Sequence, residues 1–144
     1  MKEKPEGQVN KLSLRFLSRS ENVALARLLA AALVAERDMT VADLDEIKVV
    51  VSEAVSNAII HGYQNDPDRW VEMGLTLSAS RLMIDIHDDG VGIEDIEQAM
   101  QPNFSTMDER MGLGFAFMTS FMDKVDVVSA PGSGTTVTMI KNLL

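Results

Sequence analysis

The stretch from Val49 to Tyr63 constrains the fold of this chain more than any other part of the sequence. This stretch and the residues before it carry apolar side chains at three- and four-residue spacing, which is the period of an α-helix packed against a core. These positions are Leu44, Ile47, Val51, Ala54, Val55 and Ala58. Thr40 followed by Asp43 resembles a capping box, and Gly62 provides a stop. The pattern predicts a long helix that begins after Thr40 and ends at Gly62.

Three polar side chains interrupt this apolar helix at regular intervals. Glu53, Asn57 and His61 are four residues apart, so they project from one face of the helix, about one turn from each other. An otherwise apolar helix seldom places three polar side chains on one face without a function. The spacing alone leaves two interpretations open, a solvent-facing surface or one wall of a binding site. The glycine motifs elsewhere in the chain favour the binding site.

The composition is that of one soluble globular domain. The chain has 144 residues, of which 46% are hydrophobic and 24% charged, enough for a core and ordinary for such a domain. We expect a short solvated tail over residues 1–10 and a single domain over residues 11–144. No apolar run approaches the length of a membrane span, and the N-terminus lacks the apolar stretch of a signal peptide. We therefore expect a cytoplasmic protein without membrane contact.

The charge and the lack of cysteine exclude several kinds of site. A formal net charge of −9 argues against direct nucleic acid binding through backbone phosphates. Any nucleotide phosphate must instead be held by local features, such as a helix N-terminus, an arginine or a metal ion. With no cysteine and only two histidines, the chain has no disulfide or thiol chemistry and cannot build a His/Cys metal cage.

The order of the remaining elements predicts the fold class. Period-two apolar patterns predict strands over residues 11–18, 70–78, 81–87, 125–129 and 135–141. Helical patterns cover residues 18–37, 40–62 and 94–100 and resume at Gly112, whereas residues 101–111 lack periodicity and predict a loop. The order β-α-α-β-β-α-loop-α-β-β predicts an α+β two-layer sandwich, with helices on one face of a mixed, mostly antiparallel sheet.

Glycine pairs mark three turns that could approach a ligand closely. They are Gly90-Val91-Gly92, Gly112-Leu113-Gly114 and Gly132-Ser133-Gly134. Glycine adopts positive φ without strain and lets a ligand lie against the backbone, and the second pair is predicted to open a helix with its free N–H groups pointing outward. Each pair by itself is more often only a turn. The common phosphate-binding and protein-kinase motifs are absent from the sequence, so a nucleotide site here would follow another design.

In combination, these motifs resemble the GHKL ATPase superfamily. Its N, G1 and G2 boxes and its terminal Gly-Thr have counterparts, in the same order, in Glu53-x-x-x-Asn57, Asp88-x-Gly90-x-Gly92, Gly112-x-Gly114 and Gly134-Thr135. From residue 11 onward the chain is similar, more narrowly, to the bacterial anti-sigma-factor serine kinases, in particular the anti-sigma F group of spore formation. The segments that carry this similarity are Ser20-Glu21-Asn22, residues 50–55, residues 57–63 and Phe121-Met122-Asp123.

The resemblance implies an ATP site that uses Mg²⁺. Asn57 would provide an amide oxygen to the metal ion, whose other ligands would be phosphates and water. Asp88 would accept a hydrogen bond from the adenine amino group, with Thr135 beside it. Main-chain groups of four glycines would lie against the nucleotide and its phosphates, namely Gly90, Gly92, Gly112 and Gly114.

The resemblance also implies catalytic residues. Glu53 would be the general base that accepts the proton of the attacking hydroxyl. The loop over residues 101–111 would be a lid on the nucleotide, and Arg110 would contact the terminal phosphate. Met107 and Met111 depart from the family pattern, because relatives often carry lysine and serine at these positions. Both departures concern the lid and not the predicted base.

For function, the resemblance implies an anti-sigma factor that is also an ATP-dependent protein serine/threonine kinase. It would sequester a sporulation sigma factor from RNA polymerase and phosphorylate an anti-anti-sigma protein on serine. It would be a homodimer with Arg27 on its partner-binding face, without direct contact to nucleic acid or membrane. Two alternatives stay open, a nucleotide-gated sigma-binding module without kinase activity and a detached histidine-kinase catalytic domain.

Overall fold

A computed structural model describes residues 9–101 and 109–143, except for the side chains of residues 109 and 110. The strands are β1 (Asn10–Leu17), β2 (Trp70–Leu77), β3 (Arg81–Asp88), β4 (Lys124–Ser129) and β5 (Thr135–Asn142). The α-helices are α1 (Ser20–Val34), α2 (Val41–Asn57), α3 (Ile96–Ala99) and α4 (Glu109–Phe121). The predicted order of elements is therefore confirmed for the part of the chain that is described.

The strands form one sheet in the order β1-β2-β3-β5-β4. Buried side chains alternate with more exposed ones along β2 and β3, so one face of the sheet belongs to the core. The buried residues of these two strands include Val71, Met73, Leu75, Leu82, Ile84 and Ile86. The predicted two-layer α+β architecture is confirmed, and every strand pairing within the described residues is antiparallel.

The register of β3 and β5 brings two predicted site residues together. Asp88, the last residue of β3, lies opposite Thr135, the first residue of β5. On the other side of β3, Asp88 lies opposite Val71 of β2. Residues that are far apart in the sequence are thus neighbours at one end of the sheet.

The helix α2 packs against both α1 and α4 and covers the core face of the sheet. Its inward side is formed by Ile47, Val50, Val51, Ala54 and Val55. The predicted capping box is confirmed, because the Asp43 N–H donates to Thr40 Oγ1 and the Thr40 N–H donates to Asp43 Oδ2, both at 3.0 Å. None of the helices described here is long and apolar enough to cross a membrane.

The prediction of a regular α-helix is wrong for the last turn of this segment. After Asn57 the chain forms one π-helical turn, Ala58–Gly62, and the Tyr63 N–H donates to the Ala58 carbonyl at 2.9 Å. A π turn contains more residues than an α turn, so His61 is not stacked one α-helical turn beyond Asn57 as the sequence pattern predicted. Such turns reposition side chains and are frequent at functional sites.

The helix α4 begins earlier than the sequence predicted. It starts at Glu109, whereas the glycine pair placed its start at Gly112. Residues 109–111 are Glu, Arg and Met, which are good helix formers, and they extend the helix toward its N-terminus. Gly112 and Gly114 therefore lie inside the helix, and the N–H of Gly114 comes after the first four N–H groups that lack intrahelical partners. Most of the predicted lid, residues 102–108 with Met107, lies outside the described residues.

Candidate functional site

A recess lies where β3 ends, β5 begins and α2 passes into its π turn. Its lining includes the apolar residues Ile86 and Phe115 and four predicted site residues, Asn57, Asp88, Gly92 and Thr135. The recess shares lining residues, among them His61 and Ile93, with a wider cleft of about 1330 Å³ beside residues 91–99. The inner recess itself holds only about 20 Å³, so a planar ligand enters it only if lining side chains such as Met111 move outward.

Asp88 is a buried acceptor at the base of this recess. It is 4% exposed, and its Oδ1 accepts a hydrogen bond from the Gly90 N–H at 2.9 Å. Burial raises the pKa of Asp88 to about 6, because the ionised carboxylate loses hydration, and the Gly90 N–H opposes this shift. Near neutral pH the carboxylate is mostly ionised, so a donor group on a ligand would stabilise it.

Close main-chain packing explains two glycines of the predicted motifs. A Cβ on Gly90 would approach the Gly62 carbonyl oxygen to 2.0 Å, and one on Gly134 would approach the Asp88 carbonyl oxygen to 2.1 Å. Gly134 also has φ +75°, which other residues rarely adopt. The turns on both sides of Asp88 therefore pack too closely for a side chain, and this packing fixes the main chain around the carboxylate.

Ser129 connects two turns that border the recess, a role that the sequence analysis missed. Its Oγ accepts from the Ile93 N–H at 2.8 Å, donates to the Gly134 carbonyl at 2.9 Å and lies 2.8 Å from Thr135 Oγ1. Because its single hydrogen is used toward Gly134, the Thr135 hydroxyl is the donor in the third contact. This orients Thr135. The only sequence signal is the position of Ser129 directly before the Ala-Pro-Gly turn.

On the other side of the recess, α2 and α4 approach each other at Gly114. A Cβ there would lie 2.9 Å from Glu53 Oε2 and 3.3 Å from Asn57 Nδ2. Gly114 thus leaves room for two polar side chains between the helices. Asn57 is buried, and its amide nitrogen has no hydrogen-bond partner among the described residues. Because buried amides are normally paired, this side chain is suited to meet a ligand.

Two further predicted residues, Gly112 and Arg27, do not line the recess, and for Arg110 only the main chain is described. A Cβ on Gly112 would lie 2.2 Å from the Gln101 carbonyl oxygen, so Gly112 permits close packing of the main chain. Arg110 belongs to the first turn of α4, but its side chain lies outside the described residues. Arg27 is half-buried on α1, next to the exposed side chains of Leu25 and Leu28.

The two histidines occupy different places. His61 lines both the recess and the cleft. His87, to which the sequence assigned no role, lies on the opposite face of the sheet, with Nδ1 2.7 Å from Thr136 Oγ1 and Nε2 2.7 Å from Asp89 Oδ1. His87 therefore connects β5 to the residue that follows Asp88.

Comparison with known proteins finds one domain over most of the chain. Residues 16–141 match the histidine kinase-like ATPase domain. An anti-sigma F factor from Geobacillus kaustophilus is 48% identical over 136 residues, which is 93% of each chain. The anti-sigma F factor of Geobacillus stearothermophilus is 49% identical over 134 residues, 92% of each chain. That of Thermoanaerobacter sp. (strain X514) is 46% identical over 134 residues, 92% of this chain and 93% of its own.

Solved structures share the fold at lower sequence identity. The RsbU and RsbW domains of a Mycobacterium tuberculosis protein match with a TM-score of 0.67 and 18% identity over 93% of this chain. The histidine kinase domain of a blue-light activated histidine kinase from Erythrobacter litoralis matches with a TM-score of 0.57 and 19% identity over 86% of this chain. The present chain spans 32% and 60% of those structures, respectively.

Proposed function

Since this chain belongs to the anti-sigma F factor family of histidine kinase-like ATPase domains, we propose that it is an anti-sigma factor and an ATP-dependent protein serine kinase. In this proposal it sequesters a sporulation sigma factor from RNA polymerase. An unphosphorylated anti-anti-sigma protein releases the sigma factor by binding in its place. Phosphorylation of that protein on serine then restores the hold on the sigma factor.

The observation that supports this proposal most directly is the buried Asp88 carboxylate at the base of the recess. An adenine ring in the recess would donate its amino hydrogen to Asp88 and pack against Ile86 and Phe115. Thr135, oriented by Ser129, lies beside Asp88 and provides a second polar contact. A buried acceptor between apolar walls favours a ring with an exocyclic donor over one without it.

The residues beside the recess suit a magnesium ion bound to the nucleotide phosphates. Within the described residues, no cluster of His, Cys, Asp and Glu could hold a metal ion. A single protein ligand such as Asn57 is enough for Mg²⁺, because this ion is usually bound by one or two protein groups together with phosphates and water. The ion, when bound, neutralises phosphate charge. In this proposal Asn57 holds it through the amide oxygen, and the N-terminal part of α4, with Arg110, Gly112 and Gly114, lies against the phosphates.

Glu53 is the proposed general base. Its carboxylate lies next to Gly114, between α2 and α4, on the same side of the recess as the Asn57 amide. The serine hydroxyl of the substrate would donate its proton to Glu53 while its oxygen bonds to the γ-phosphorus and the bond to the β–γ bridging oxygen breaks. ADP leaves with the electron pair of that bond.

The proposed partners are proteins rather than nucleic acid. We assign Arg27 and the exposed side chains near it on α1 to the partner-binding face of a homodimer. The net charge of −9 favours association with a basic partner. Such partners imply that the protein acts in the cytoplasm, as one domain over residues 11–144.

Incubation with γ-labelled ATP, Mg²⁺ and the candidate partners tests the proposal. Phosphoserine on the anti-anti-sigma protein is the expected product, together with retention of the sigma factor in the presence of ATP. Acid-labile phosphohistidine would support a histidine-kinase catalytic domain instead. Tight, nucleotide-dependent binding of the sigma factor without any transfer would support a binding module and contradict the kinase assignment.

A further inference from the structure

The main chain directly after Asp88 is held from two sides. The Asp89 N–H donates to Tyr63 Oη at 2.7 Å, and Arg69 Nη2 donates to the Asp89 carbonyl at 3.2 Å. These two bonds fix the peptide planes before and after Asp89. The first of these planes includes the Cα and carbonyl of Asp88, so its orientation determines where the Asp88 side chain points.

The two residues that hold Asp89 are themselves coupled. Tyr63 is 5% exposed, and its Oη donates to the Trp70 carbonyl while it accepts from Asp89. The Arg69 guanidinium lies over the Tyr63 ring, 4.7 Å from its centroid, which is a favourable cation–π distance. Arg69 and Tyr63 thus form one unit, which we call the Asp89 clamp.

The segment that carries Arg69 is fixed to the two residues that precede α1. The Ser18 N–H donates to the Arg69 carbonyl at 2.9 Å, and Ser18 Oγ donates to the Asp66 carbonyl at 2.5 Å. Arg19 forms an ion pair with Asp68 at 3.1 Å. The backbone of Arg69 is therefore anchored independently of the recess, which lets its side chain act as a fixed support for Asp89.

We propose that Arg69 and Tyr63 are positioning residues for base selectivity, since they hold the Asp88 carboxylate in the orientation that accepts the adenine amino hydrogen. This inference rests on the proposed nucleotide function. Neither residue lines the recess as the structure describes it, so both act through the Asp88–Asp89 main chain. Removing the clamp leaves the pocket walls in place and weakens one support of the Asp88 carboxylate, while the Gly90 N–H and the packing of Gly90 and Gly134 remain.

Binding of two nucleotides to Arg69→Ala and Tyr63→Phe tests this inference. ADP carries the amino group that Asp88 accepts, whereas purine riboside diphosphate lacks it and keeps the same ring, ribose and phosphates. Calorimetric titration should show ADP affinity reduced about fivefold in each variant, the loss typical of one weakened hydrogen bond, with analogue affinity unchanged. The ADP affinity of Arg69→Lys should lie between those of the unmodified protein and Arg69→Ala, because lysine keeps the charge but lacks the planar guanidinium group.

The matched control is Arg37→Ala. Arg37 also donates to a main-chain carbonyl, that of Ser78 at 3.1 Å, but at the opposite end of the sheet. This variant should leave both affinities unchanged. Equal weakening of ADP and the analogue in Arg69→Ala would overturn the inference, because loss of charge or of folding acts on both nucleotides alike. If the unmodified protein itself binds both nucleotides equally, the role of Asp88 in the proposed function fails, and the clamp's role fails with it.

Discussion

Gly62 lies so close to the Asp88 carboxylate that a Cβ on Gly62 would approach Asp88 Oδ1 to 2.6 Å. The end of the π turn thus forms the back of the predicted adenine-binding position. Gly62→Ala should displace the carboxylate and lower ADP affinity at least about tenfold, because a buried polar contact is lost without a replacement. Equilibrium titration with ADP measures the effect.

The chain offers a matched control for this substitution. A Cβ on Gly74 would approach Asp85 Oδ2 to the same 2.6 Å, but this pair lies in the middle of β2 and β3. Gly74→Ala should therefore leave ADP affinity unchanged. Similar losses in the two variants would show that general disturbance of the sheet, and not the position of Asp88, determines binding.

The raised pKa of Asp88 predicts a conflict between stability and binding. The folded protein holds the Asp88 proton up to about pH 6, whereas an unfolded aspartate loses it near 3.8, so stability falls as pH rises through this window. Asp88→Asn removes the buried charge. At about pH 7.5 this substitution should raise the free energy of unfolding by up to about 3 kcal/mol, and the gain should vanish at about pH 4.

Urea unfolding of the unmodified protein and of Asp88→Asn at the two pH values checks the predicted stabilities. Titration with ADP measures the effect on binding. In Asp88→Asn the amide oxygen keeps the hydrogen bond from the Gly90 N–H, and an NH2 group, which only donates, replaces the second carboxylate oxygen. ADP affinity should therefore fall while stability at neutral pH rises. A variant that is less stable at neutral pH would mean that the ionised carboxylate stabilises the fold.

Ser129→Ala should weaken the connection between the turns that carry Ile93 and Gly134. Loss of this hydroxyl leaves an N–H and a carbonyl unpaired, so the free energy of unfolding should fall by about 1–3 kcal/mol, with weaker ADP binding. Ser52→Ala is the control, because Ser52 Oγ donates to the Lys48 carbonyl within α2 and its loss should change stability by less than about 0.5 kcal/mol. Equal stability of the two variants would contradict the role of Ser129.

Arg27→Glu should lower the affinity for the sigma factor more than about tenfold, because it reverses a charge at the proposed interface, and it should leave ADP binding intact. Arg81→Glu makes the same charge change on a different element, at the start of β3, and serves as the control. Surface plasmon resonance measures the affinity of both variants for the sigma factor. Unchanged binding by Arg27→Glu would remove this residue from the partner-binding face.

Much of the fold could be predicted from local sequence patterns. The strands β2 and β3 alternate cleanly because one face is buried along their whole length, and α2 shows its buried side at helical spacing. Strand β1 was predicted one residue late, at residues 11–18, and is observed at Asn10–Leu17. The elements with a continuous buried side are the ones that the sequence identifies.

The remaining features depend on contacts that local patterns do not encode. The π turn adds about one residue to a helical turn that is apolar on most sides, so the spacing of apolar residues hardly changes. Ser129 contacts Ile93, and Arg69 contacts Asp89, only because the fold brings these distant residues together. Four predicted site residues share one recess, Asn57, Asp88, Gly92 and Thr135, but their roles stay predictions.

Phosphoryl transfer by Glu53→Ala tests the proposed kinase most directly. With γ-labelled ATP, Mg²⁺ and the anti-anti-sigma protein, the unmodified protein should form phosphoserine, whereas Glu53→Ala should bind ATP with similar affinity and transfer at least about a hundredfold more slowly. Glu46→Ala, on the same helix but paired with Lys141, should transfer normally. Transfer by Glu53→Ala at the unmodified rate would contradict the assignment of Glu53 as the general base, and absence of transfer by the unmodified protein would contradict the kinase itself.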